Sequence, residues 1–328
     1  MHPPLGLLRF PMIRNRLSAF LALSTVLTLA ACGSDQPAAN QAAGVDKVKV
    51  GVIPIVDVAP IYVGKAQGFF AKRNIDLTME QAQGGAAIVP GVVSGQYQFG
   101  FSNVVSLLVA TQQKVPIKAV ANGVNSTGDP AKDFGQLIVK DPAIRTAKDL
   151  EGKTVATNTV KNIVDTSVKE IVRKAGGDGS KVNFVELAFP DMAAALDAGR
   201  VQGIFVVEPF VAPALAKGWR SLGAFADVDP KLCVAAYFTS TQLIAQNPDL
   251  VKRFTEAMRE SLAYADSHAD AVRQVVTTYT TIKADSASAM TLPKWSSDID
   301  KASVDRMNQL LASGGVLSAP VDTSKLLP

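Results

Sequence analysis

The chain has 328 residues, of which 48% are hydrophobic and 19% charged. This balance supplies apolar material for sizeable cores and excludes a disordered or fibrous protein, and the length accommodates two lobes of ordinary domain size. The formal charge of +4 sits mostly at the start: removing residues 1–31 takes away Arg9, Arg14 and Arg16 and no acid, which leaves +1. No basic stripe remains, so nucleic acid is not an expected partner.

In chain order, Arg14 and Arg16 precede a short apolar run at residues 17–29, which ends Leu29-Ala30-Ala31-Cys32-Gly33. A basic stretch, a short apolar stretch and small residues make a secretory signal, too short for a membrane span. The ending resembles a bacterial lipobox, which implies cleavage before Cys32 and acylation of its thiol. Met1 and Met12 are both possible starts. Residues 32–46, rich in Ser, Gln, Ala, Asn and Gly, read as a flexible tether.

Residues 47–53 alternate Lys-Val-Lys-Val and predict a first strand. Pro54 and Pro60 bound a loop. A helix is expected over 61–73, a strand over 77–81, a turn at Gln83-Gly84-Gly85 and a helix over 86–94. Pro90-Gly91 should shorten or kink that helix. A strand over 97–101 then ends in an exposed polar tip, Ser102-Asn103. A helix over 104–113 and a strand over 117–124 complete an α/β wind around a parallel sheet. The polar break at 125–134 reads as a crossing into a second lobe. That lobe takes strands at 136–139, 154–156, 182–186 and 204–207, helices at 162–175, 191–198 and 213–218, and a loop or edge strand at 219–225. A strand over 234–240 returns the chain, and helices follow at 247–268, 269–279, 286–290 and 301–312. The expected organisation is therefore a signal at 1–31, a tether at 32–46, one lobe from 47–124 and 234–328, and a second lobe from 125–233.

The chain partly repeats itself. Gly95-Gln96-Tyr97-Gln98-Phe99-Gly100-Phe101-Ser102-Asn103 is echoed by Gly199-Arg200-Val201-Gln202-Gly203-Ile204-Phe205-Val206-Val207-Glu208-Pro209-Phe210. Each has a Gly stop after a helix, then a Gln, a short apolar strand and a polar residue at its end.

Ligands of parallel α/β sheets bind beyond the carboxyl ends of the strands. The candidates are Asp57 and Ala59; Gly84, Gly85 and Ala86; Ser102 and Asn103; Thr157, Asn158 and Thr159; and Glu208, Pro209 and Phe210. Several lead into helices, whose free N–H groups suit a sulfonate, nitrate or carboxylate. Gly84-Gly85 also reads as a plain turn, and the Ser, Thr and Asn residues as ordinary N-caps. Asp57 and Glu208 read equally as solvated surface acids; facing the cleft, they favour an amine-bearing ligand over a bare anion. Phe210 and Tyr62 could stack on a flat ligand, or belong to core and rim.

Catalytic chemistry has little to stand on. The histidines are His2 and His268, and no metal-ligand cluster, nucleophile elbow or phosphate loop is present. Cys233, in an apolar segment, reads as a small buried hydrophobe. No catalytic residue, metal or cofactor is expected.

The ordered set of Lys-Val-Lys-Val-Gly-Val-Ile at 47–53, Ala59-Pro60-Ile61-Tyr62, Gly68-Phe69-Phe70, Gly84-Gly85, Ser94-Gly95, Phe99-Gly100, Asp149-Leu150-Glu151-Gly152-Lys153 and Glu208-Pro209-Phe210 resembles the solute-binding proteins of ABC importers for nitrate, sulfonates and taurine. That superfamily also includes binders of thiamine pyrimidines. The resemblance implies a type II periplasmic-binding-protein-like fold of two α/β lobes, mainly parallel sheets and two crossover strands, closing on a small solute. It implies an exported, lipid-anchored monomer of the cell envelope that serves a membrane permease, and no enzyme. The chain departs from the pattern in carrying Gln98 and Gln202 where the family often has an acid. The alternatives are a binder of a pyrimidine or aromatic acid, a pyrimidine-synthase-like enzyme, and a sensor lobe.

Overall fold

Residues 44–328 are described by a computed structural model; the lipobox and most of the expected tether lie outside them. The first wind is β1 (Asp46–Val52), α1 (Ala59–Ala66), β2 (Ile75–Gln81), α2 (Gly85–Val93), β3 (Phe99–Asn103), α3 (Val104–Gln112) and β4 (Ile117–Asn125). The second is β5 (Gly135–Val139), β6 (Thr154–Thr157), α4 (Ile163–Lys174), β7 (Asn183–Glu186), α5 (Phe189–Asp197), β8 (Gly203–Val207), α6 (Val211–Ala216), β9 (Arg220–Ala224) and α7 (Phe225–Val228). The chain then returns through β10 (Cys233–Ser240) to α8 (Thr241–Gln246), α9 (Pro248–Ser267), α10 (Ala269–Tyr279), α11 (Ala284–Ser288) and α12 (Lys301–Ser313).

Two five-stranded sheets result, ordered β2-β1-β3-β10-β4 and β7-β6-β8-β5-β9. In each, four strands run one way and one runs against them: β10 in the first, β5 in the second. Each opposed strand is the one that follows a crossing between the sheets. The sheets are mainly parallel, as expected, and the one opposed strand lies inside each, between β3 and β4 in the first and between β8 and β9 in the second. Sequence order around 47–124 carries no sign of that insertion.

The alternation seen in the sequence becomes burial. Val48 and Val50 point inward while Lys47 and Lys49 stay exposed. The central strands β3 and β8 are buried along their whole length, as expected of strands covered on both faces. The C-terminal helices dock on the first sheet through aromatic contacts. Phe254 of α9 stacks on Phe99 at 3.7 Å, and Tyr279 of α10 stacks on Tyr62 of α1 at 4.0 Å.

Three boundaries differ from the sequence reading. The expected helix over 61–73 stops at Ala66, since Gly68 turns the backbone to a φ of 75°. The helix containing Pro90 persists as Gly85–Val93; the carbonyl that loses its helical partner belongs to exposed Ala86, where water can serve it. The strand expected at 97–101 is Phe99–Asn103, and its supposedly exposed tip is buried. Ser102 and Asn103 pair with Ala236 and Ala235 of β10, which closes over them.

The sequence echo has a shared physical cause. Gln98 Oε1 accepts from the Lys49 N–H at 2.8 Å, while its Nε2 donates to the Gly95 carbonyl at 3.3 Å. Gln202 does the same in the second sheet, accepting from the Thr154 N–H at 3.1 Å and donating to the Gly199 carbonyl at 3.4 Å. The neutral amide is needed because one side chain must both accept and donate. A carboxylate could only accept.

The two crossings lie side by side. The Ser126 N–H donates to the Leu232 carbonyl at 2.9 Å. Asp133, fully buried, accepts from the Ser126 hydroxyl (2.7 Å), the Thr127 N–H (3.1 Å), the Phe134 N–H (2.9 Å) and the Ala226 N–H (2.7 Å). One carboxylate thereby ties the first crossing to the start of α7, just ahead of the second. Asp133→Ala leaves these donors unsatisfied and should cost about 2–4 kcal/mol of stability, read by urea unfolding. A loss below about 0.5 kcal/mol, the range of ordinary surface substitutions, would show that the crossings do not depend on it.

Candidate ligand-binding site

The carboxyl ends of the two sheets meet at a small cavity of about 30 Å³. Asp57, Phe101 and Asn103 line it from the first sheet's side, and Asn158, Asn162, Phe189 and Phe225 from the second's. The volume holds about two waters. Ligand pockets usually have several hundred Å³, so a solute of sulfonate or pyrimidine size requires the two sheets to part.

The polar groups come from helix starts. Asn103 caps α3: its Oδ1 accepts from the Ser106 N–H at 2.9 Å. Asn162 caps α4: its Oδ1 accepts from the Val164 N–H at 2.7 Å, and its Nδ2 donates to Asn158 Oδ1 at 3.0 Å and to the Thr159 hydroxyl. Asp165 completes a capping box by accepting from the Asn162 N–H at 2.7 Å. The partly positive ends of two helices therefore converge on the cavity. Among the described residues, no lysine or arginine lines it.

Several contacts join the two sides of the cavity, among them an Asn158 Nδ2 bond to the Gln83 carbonyl at 3.4 Å. The Val56 N–H donates to the Glu208 carbonyl at 2.9 Å. Gln83 Nε2 donates to the Asn158 carbonyl at 3.1 Å. Gly84 abuts Thr159 so closely that a Cβ at 84 would lie 2.9 Å from its methyl. This is a closed arrangement, and Gly84 is what lets the chain segments approach.

Asp57 lies in the loop between β1 and α1, 2% exposed, with Oδ1 lacking any partner. The Trp295 indole N–H donates to its backbone carbonyl at 3.3 Å, which leaves the side chain free. The Tyr237 hydroxyl of β10 is likewise buried without a partner. Burial pushes the Asp57 carboxyl up to about 8, its own backbone N–H pulls it down, and Asp133 adds a smaller upward push. Glu208 is also pushed up by burial, to about 7, against the N–H groups of Ala212 (3.2 Å) and Thr291 (3.1 Å).

Of the residues singled out from sequence, Asp57, Asn103 and Asn158 line the cavity. Glu208 is buried and tied to the Thr291 backbone rather than turned into it. Pro209 follows through a cis peptide bond, and Phe210 stacks behind Phe189 at 6.1 Å. Ser102 lies beneath Gly85, where a Cβ would come 2.0 Å from its hydroxyl. The Thr157 hydroxyl donates to the Thr159 carbonyl at 2.9 Å. Ala59 is core and Ala86 is exposed. The sequence reading passed over Asn162, Gln83, Phe189 and Phe225. Asn162 was legible: it precedes an apolar helical run with an acid at the third helical position, the capping-box pattern.

A larger void, about 540 Å³, lies between α4 and the end of α12, lined by Lys169, Glu170, Arg173, Phe184 and Leu310. It holds none of the expected residues and lies away from the strand ends. The smaller cavity is the candidate site, since the unpaired Asp57 Oδ1 and two helix starts meet there.

The raised acids fix a pH dependence. Asp57 and Glu208 have folded pKa values above their unfolded ones, so each contributes least penalty at low pH and destabilises as pH rises from about 4 through 7–8. Asp57→Asn should leave stability at pH 4 unchanged and raise it at pH 8 by on the order of 1–3 kcal/mol. Thermal melts across that range check this; parallel curves for parent and variant would refute the raised carboxyl.

The NMT1/THI5 like family model matches residues 55–272. A putative binding protein, YtlA, of Bacillus subtilis is 20% identical over 256 residues, covering 74% of this chain and 71% of the relative. A formylaminopyrimidine-binding protein of Halalkalibacterium halodurans is 22% identical over 182 residues, covering 56% of this chain and 53% of that protein. In fold, the chain resembles the periplasmic nitrate-binding protein NrtA of Synechocystis PCC 6803, with a TM-score of 0.75, 15% identity and coverage of 86% of both chains. The match spans the β1–α1 loop that carries Asp57, both crossings and the capped helix starts around the cavity, and the chain belongs to the NMT1/THI5-like family.

Proposed function

We propose that the protein is the solute-binding component of an ABC importer, exported and anchored through Cys32, which captures a small organic solute between its two lobes and presents it to a membrane permease. The observation that carries this reading is the cavity at the meeting of both sheets' carboxyl ends, with polar groups from each and contacts that a modest opening would break. A solute touching both lobes binds the closed form better and so shifts the open–closed balance toward it. The names of the relatives agree with this class of protein.

The lining sorts the ligand classes. Nitrate and simple alkyl sulfonates are bare anions, and they would meet a buried carboxyl with no cation to clamp them. Solutes with both N–H donors and acceptors suit the site better: taurine, or an aminopyrimidine. Acceptor atoms meet the amides and helix starts, and donors meet Asp57.

We read the protein as a binder rather than a catalyst. Cys233 is fully buried, and desolvation pushes its thiol up to about 12, which removes the thiolate a nucleophile needs.

Asn158→Ala should weaken solute binding at least tenfold, about 1.4 kcal/mol, whereas Ser102→Ala, which packs under Gly85, should leave it within threefold. A thermal-shift panel finds the solute and calorimetry supplies both constants; equal constants for Asn158→Ala and the parent would move the site elsewhere. Cys32→Ser should release the exported protein from the membrane fraction into the soluble one. Retention at the parent's level would remove the anchor.

A further inference from the structure

We propose that the part of the solute nearest the first sheet is a positively charged nitrogen, which binds by replacing the proton on Asp57. The inference rests on the interlobe cavity being the solute site. Asp57 lines that cavity, and its Oδ1 is buried with nothing to accept from. The Tyr237 hydroxyl, buried and unpaired near Asp57, is outside the cavity lining and offers that carboxyl no charge.

Among the described residues, no lysine or arginine lines the cavity or acts on the Asp57 carboxyl. From α1 comes Tyr62, from β10 Tyr237 and from α10 Tyr279; Tyr279 donates its hydroxyl to the Ile55 carbonyl at 3.0 Å. From the first crossing comes Asp133, which raises the cost of a second negative charge. Glu208 meets the neighbouring residue Val56 through its backbone carbonyl. Trp295 contributes only its indole N–H, and that goes to the Asp57 backbone. The three asparagines of the cavity are neutral. Every titratable neighbour is an acid or a phenol, and burial holds the phenols of Tyr237 and Tyr279 well above their ordinary range, so they stay neutral.

A carboxyl in that setting keeps its proton. An incoming ammonium or protonated amino-heterocycle changes the balance, because it brings the counter-ion. The O–H proton of Asp57 leaves to solvent, the carboxylate accepts from the solute nitrogen, and the site remains neutral overall. A neutral alcohol in the same place offers no such exchange and must share the proton already present. Phe101 on the same side, and Phe189 and Phe225 on the other, supply aromatic surface for a short apolar or flat body. The solute class is therefore a small organic cation or zwitterion.

Isosteric pairs test this with the full chain. Calorimetry would compare taurine with isethionate, and 4-amino-5-(aminomethyl)pyrimidine with 4-amino-5-(hydroxymethyl)pyrimidine. In at least one pair, the amine should bind about tenfold or more tighter than the alcohol. Its affinity should rise by close to tenfold per pH unit between 6 and 8, and heats measured in two buffers should show about one proton released per solute bound. Asp57→Asn, checked for folding by its melting curve, should abolish the preference for the amine while leaving the alcohol's affinity within about threefold. Equal affinities within both pairs, a flat pH profile, or a preference that survives Asp57→Asn would overturn the inference. If in those cases binding is still lost in Asn158→Ala, the interlobe site stands without it. Failure of all four solutes to bind, whether as ligand or in thermal shift, would overturn the cationic class outright.

Discussion

Where the chain passes between the two sheets it is held by one buried carboxylate. Asp133 gathers donors from the first crossing and from the start of α7, just ahead of the second, and the Ser126–Leu232 hydrogen bond pairs the two crossings directly. A fully desolvated acid with four donors is costly to disturb. This fixes the first crossing in place, while separate hydrogen bonds from Val56, Gln83 and Thr291 join the two sheets beside the cavity.

The same contrast separates the buried acids. Asp133 and Asp57 are both out of water, but only one has its hydrogen bonds made. Asp133 is explained by structure alone: it closes the loop before β5 by taking four hydrogen bonds. Asp57 has no structural partner for its outer oxygen, and its backbone is already fixed by Trp295 and the adjoining loop. A fold that needed only a loop residue there would be more stable with an asparagine. The cost makes sense if something other than folding uses the carboxyl.

Much of the architecture could be read from the chain. The spacing of Val48, Val50 and Val52, the helix starts and the two polar crossings follow from local pattern and turn chemistry. The Gln98 and Gln202 echo was visible, and its cause is now plain: each amide ties the backbone of a neighbouring strand, β1 or β6, to the glycine that ends the helix just before it. What local pattern could not supply was pairing. Nothing around Phe101 reveals that a strand more than a hundred residues on will cover Ser102 and Asn103. Likewise Glu208 looked like a cleft residue because it ends a central strand; its carboxylate is instead drawn to the Thr291 backbone, from a segment with no periodic signature. Asp57, Asn103 and Asn158 were legible because loops after strands and helix caps announce themselves. Phe189 and Phe225 were not, since an aromatic residue reads the same whether it faces a core or a cavity.

Trp295 gives the molecule a built-in optical reporter. The chain has two tryptophans. Trp295 is buried with its indole N–H on the Asp57 carbonyl, while Trp219 sits beside β9 in the other lobe with the Lys217 ammonium 4.7 Å over its ring. A change in charge at Asp57 or in the loop that carries it falls on an indole within hydrogen-bonding distance, and indole emission responds to local field. The second tryptophan precedes β9, outside the cavity lining, with the Lys217 ammonium over its ring. Emission from the unlabelled protein therefore carries two channels, one that registers events at the cavity and one that serves as an internal standard.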